Sequence, residues 1–117
     1  MDRERRNFLA AVSRARRAIR TLSPEMEPDE SNRVFLTARR AVDRAYDWSR
    51  FVPGGSERAS ELHHEVIAAR ERWEAEHRQW MEAQVAEARR AAHEAGLRER
   101  DRLIALGKLP PLPDWLR

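Results

Sequence analysis

Apolar residues recur along this chain at steps of three and four, and these steps divide it into three helical segments. In the first, from about Asp2 to Leu22, residues Phe8, Val12, Ala15, Ile19 and Leu22 share one face. Arg3, Arg6, Arg14, Arg17 and Arg20 fall on the opposite side. Ser23-Pro24 stops this helix, because a residue before proline is pushed out of the helical region. The acidic stretch that follows, Glu25 to Ser31, reads as a surface loop. A second helix is expected from Ser31 or Asn32 to about Ser49, with Asp29, Ser31 and Asn32 all suitable as caps. Its stripe is Val34, Phe35, Ala38, Ala41, Val42, Ala45 and Trp48. Pro53, Gly54 and Gly55 then mark the clearest boundary in the chain, where a turn of almost any shape is permitted.

Beyond that boundary no proline occurs before Pro110, and Ser56 or Ser60 can cap a third helix. Leu62, Val66, Ala69, Trp73, His77, Trp80, Gln84, Ala88, Ala91 and Ala95 form one line along it. A helix over 57–95 would be roughly 58 Å long at a rise of about 1.5 Å per residue. A compact domain of this chain length has a radius of gyration of only about 13 Å. Extension or oligomerisation is therefore expected. Past Trp80 the line is mostly alanine, which allows close helix approach but contributes little area, and so resembles an assembly surface more than a self-sufficient core.

The expected fold is all-α: two shorter amphipathic helices packed on one long third helix, in an elongated or oligomeric bundle over residues 1–107. Residues 108–117 form an apolar, proline-rich tail whose LPPLPDW segment cannot continue a helix. So much apolar content suits docking, on the chain's own bundle or on a sister subunit, with a groove of a different protein as the next alternative, better than disorder. The residues assigned to self or partner contact are Leu62, Val66, Trp73, His77, Trp80, Ala88, Leu109, Leu112, Trp115 and Leu116.

Charge sharpens this picture. The overall balance of +3 conceals opposing blocks: residues 1–22 carry a net +5, residues 23–30 a net −4, and residues 31–52 a net +3. Lys108 is the single lysine among 23 basic residues. Arginine's planar, multi-donor group suits phosphate and carboxylate, although a coding bias towards Arg, Ala and Glu produces the same composition. The face formed by Arg3, Arg6, Arg14, Arg17 and Arg20 is the candidate nucleic-acid contact. Its alternative is a solvated face, or one paired with acids of the third helix. No tight helix–turn–helix signature follows it.

Composition removes several other classes. With no cysteine, disulfides and thiolate metal sites are excluded. No run of 18 apolar residues occurs, and the Arg-rich start lacks the apolar segment of a signal peptide, so a soluble, cytoplasmic protein without membrane insertion is expected. Glu61–His64 and Glu74–His77 each match Glu-x-x-His. They lie roughly 20 Å apart on one helix and cannot share a site within a chain. Trp73, His77 and Trp80 could line a slot for a flat cofactor, but packing accounts for them more simply. There is no phosphate-binding glycine loop or nucleophile elbow. The expectation is a non-enzymatic assembly or regulatory module with no catalytic residue, cofactor or metal, whose partner is a second copy or a larger protein. Two alternatives are a nucleic-acid-associated helical protein and a small accessory subunit of a larger enzyme complex.

Overall fold

A computed structural model of the protein describes residues 2–111 and 115. The fold is all-α. It consists of α1 (Asp2–Arg20), α2 (Pro28–Ser49) and α3 (Gly55–Ala105). The chain divides into two units, residues 1–80 and 81–117, and the division falls inside α3 between Trp80 and Met81.

In the first unit, three helices close around a core rich in alanine. Ala11, Ala15, Ala38, Ala41, Ala45 and Ala59 let the backbones approach closely, while Phe8, Val12, Val42, Leu62 and Val66 fill the remaining space. Phe8 and Leu62 are completely buried. Each such side chain contributes about 1.5–3 kcal/mol through removal of apolar surface from water. At the edge of this core Phe35 meets Trp73 edge-on, with ring centroids 6.3 Å apart. Arg58 covers the Phe8 ring and Arg70 the Phe35 ring, each with its guanidinium carbon less than 6 Å from the ring centre. On the surface Arg16 makes a two-pronged pair with Glu65, both bonds being 3.1 Å, which ties α1 to α3. The Glu65 carboxylate raises the Arg16 guanidinium above its ordinary pKa. Both side chains are more than two-fifths exposed, so solvent screening holds the pair to at most about 1 kcal/mol.

The helix boundaries differ from the sequence expectation in three places. α2 begins at Pro28, not at Ser31 or Asn32, and Glu27 occupies the cap position in extended conformation without a side-chain cap bond. Proline suits the first helical position because its fixed φ is already helical and its missing N–H would have no intrahelical partner there. Ser31 instead turns inward, is 1% exposed, and donates its hydroxyl hydrogen to the Pro28 carbonyl at 2.8 Å. At the second turn, Gly54 takes a positive φ of 67°. Gly55, by contrast, opens α3, ahead of the caps expected at Ser56 or Ser60, and lies buried against the end of α2.

The third difference is the length of α3, which runs through Gly96 to Ala105 and not to about residue 95. A helical glycine costs about 1 kcal/mol relative to alanine. Its neighbours Ala95, Leu97, Arg98 and Glu99 are good helix formers and offset that cost. The helix ends where a second feature is added. Gly107 adopts φ +71°, its N–H bonds the Ile104 carbonyl at 3.0 Å, and the Lys108 N–H reaches the Leu103 carbonyl at 2.9 Å. These paired bonds form a Schellman cap, which needs a left-handed residue at this position.

Candidate interaction surfaces

The aromatic cluster on α3 closes the first unit on itself. Trp73 and His77 stand one helical turn apart and reach two consecutive carbonyls of the segment between α1 and α2. Trp73 Nε1 donates to the Ser23 carbonyl and His77 Nδ1 to the Pro24 carbonyl, both at 2.7 Å. A carbonyl can only accept, so Nδ1 carries the imidazole hydrogen. The Ser23 carbonyl uses its second lone pair to accept the Met26 N–H at 3.1 Å. The rings stack in order: Trp73 lies 4.6 Å from His77 at 12°, and His77 lies 6.0 Å from Trp80 at 25°. The imidazole thus pairs with an indole on each side.

Three of the residues assigned to self or partner contact lie inside the chain. Leu62, Val66 and Trp73 are buried in the chain's own core, with 0%, 9% and 8% of their surfaces exposed. Their apolar area is already used within the chain. His77 and Trp80 are half-buried beside them. The sequence signal for such a latch was the Trp-x-x-x-His spacing together with a proline-terminated linker. Neither identifies which carbonyls would accept.

The second unit contrasts with this. Every residue of α3 from Met81 to Arg102, Ala88 included, is exposed. Met81 and Val85 are 46% and 45% exposed, and they continue at steps of three and four into Ala88, Ala92 and Ala95. Leu97, Leu106 and Leu109 also face solvent. In the tail, Trp115 is 81% exposed. Leu112 and Leu116 lie outside the described residues.

Arg3, Arg6, Arg14, Arg17 and Arg20 are all exposed, as expected for the polar face of α1. Arg6 bends back to the Asp2 carbonyl at 3.4 Å. Arg14 has a different setting. It faces Thr37, Arg40, Ala41, Asp43 and Arg44 across an open groove of about 440 Å³ between α1 and α2. The second helix's contribution was missed in the sequence because Arg40 and Arg44 are conspicuous only when placed opposite Arg14. Among the described residues no group of three or more His, Asp or Glu side chains could hold a metal ion. His63 and His64 are both exposed, and the latter's Nδ1 is engaged with the Ser60 carbonyl at 2.7 Å. No described helix is long and apolar enough to cross a membrane. No known protein family, characterised protein or solved structure matches the chain.

Proposed function

We propose that the protein is a non-enzymatic helical assembly module, and that the second half of α3 with the tail pairs with a second copy of the chain. The observation that carries this reading is the uninterrupted exposure of residues 81–102, on a helix that still presents Met81 and Val85 on one line with Ala88, Ala92 and Ala95. Most helices in proteins draw their stability from packing an apolar face. Here that face has no intrachain cover among the described residues. Leu106, Leu109 and Trp115 add apolar surface of the kind that marks protein contacts.

Charge favours a second copy as the occupant. Residues 81–105 carry five acidic and five arginine side chains, a net of zero, so two copies can approach without net repulsion. Alanine along the line permits close approach, and Met81 and Val85 supply the larger contacts.

Replacing Val85 and Ala92 with glutamate places four carboxylates in the paired surface. Self-association measured by sedimentation should weaken at least tenfold, or about 1.4 kcal/mol. Because both sites are exposed, unfolding of the first unit should change by less than about 0.5 kcal/mol. Unchanged association in the double variant would rule out this face as the contact.

A further inference from the structure

The groove between α1 and α2 carries an independent inference. Arg14, Arg40 and Arg44 converge on it from two helices. None of the three is ion-paired among the described residues, although Asp43 lies in the same wall. Elsewhere on the surface, Arg16, Arg70 and Arg102 each take a glutamate partner. Converging guanidinium groups repel one another, and the groove supplies too little carboxylate to offset three of them. An anionic ligand would relieve this repulsion.

The shape and chemistry narrow the ligand class. Along α2, Arg33, Thr37, Arg40 and Arg44 follow one another at helical spacing, so the positive charge runs along the helix and does not surround a point. Arg17 continues it one turn beyond Arg14 on α1. The Thr37 hydroxyl spends its hydrogen on the Arg33 carbonyl at 3.0 Å, so the guanidinium groups supply the donors that a phosphate needs. The open, elongated setting suits a linear polyanion better than an enclosed small molecule. Guanidinium groups bind phosphate oxygens through paired N–H donors.

No aromatic side chain lines the groove, so it offers no platform for stacking unpaired bases. It also lacks Asn and Gln, the side chains that pair with adenine edges. We infer that Arg14, Arg40 and Arg44 bind the phosphate backbone of duplex nucleic acid without reading its sequence. This inference does not depend on self-association through α3.

The test is fluorescence anisotropy of a labelled mixed-sequence DNA duplex titrated with the full chain. With three phosphates neutralised, raising salt from about 50 to about 200 mM should weaken binding roughly 40-fold. The double reversal Arg40→Glu with Arg44→Glu should lose at least tenfold in affinity while keeping the native circular dichroism spectrum. The reversal Arg72→Glu with Arg78→Glu makes the same change in net charge at exposed α3 residues of the first unit outside the groove lining and should lose less than threefold. Equal losses in the two double variants would overturn the site, as would no duplex binding at low salt. Tighter binding to a single strand of the same length than to the duplex would overturn the ligand class.

Discussion

Replacing Trp73 with alanine should lower the unfolding free energy of the first unit by about 3–5 kcal/mol, the usual range for a buried large aromatic. Trp73 performs three tasks at once. It is 8% exposed, meets Phe35 edge-on, and ties α3 to the Ser23 carbonyl at 2.7 Å. Removing it also exposes one face of His77, whose ring it covers. Trp73→Phe keeps most of the apolar area but loses the N–H, and should cost less than alanine. Urea unfolding of the three proteins separates these contributions. A loss below about 1 kcal/mol for Trp73→Ala would mean that the core does not depend on this side chain.

The second large effect should come from the smallest possible substitution. A Cβ at Gly55 would run into the backbone of Ser49, meeting its carbonyl oxygen and lying 2.9 Å from its carbonyl carbon and Cα. These atoms belong to the last residue of α2 and cannot swing aside as a side chain would. Gly55→Ala should therefore destabilise by about 3 kcal/mol, the upper part of the range for overpacking. Its neighbour provides the comparison. A Cβ at Gly54 meets nothing within 4 Å, and only the φ of 67° resists substitution. Gly54→Ala should cost about 1–2 kcal/mol. Thermal unfolding of both variants checks the ranking, and an equal or reversed order would contradict the close approach of α2 and α3.

The two glycines illustrate what the sequence could and could not convey. Periodicity placed Phe8, Val12 and Ala15 of α1, and Phe35, Ala38, Ala41, Val42 and Ala45 of α2, on faces that are buried in the structure. It did so because the distribution of apolar side chains around a helix is a local property. The Gly54-Gly55 pair marked a turn, but the different demands on each residue depend on a neighbour across space. The start of α2 was misplaced for a related reason: Ser31 resembles a cap by type, yet Pro28 determines where the helix can begin. The continuation beyond Gly96 required weighing one poor helix former against several good neighbours.

The functional surfaces divide in the same way. Leu62, Val66, Trp73 and Ala88 lie on one line in the sequence, but only the intrachain packing separates the three buried residues from the exposed one. The arginines of α1 were evident as one helical face. The opposition of Arg14 to Arg40 and Arg44 was not, since it depends on how α1 packs against α2.

Self-association through the exposed half of α3 is tested most directly by the light-scattering mass of the purified full chain over a wide concentration range. The mass should rise from 13.7 kDa towards twice that value as concentration increases. A mass that stays at 13.7 kDa through hundreds of micromolar would contradict pairing between copies.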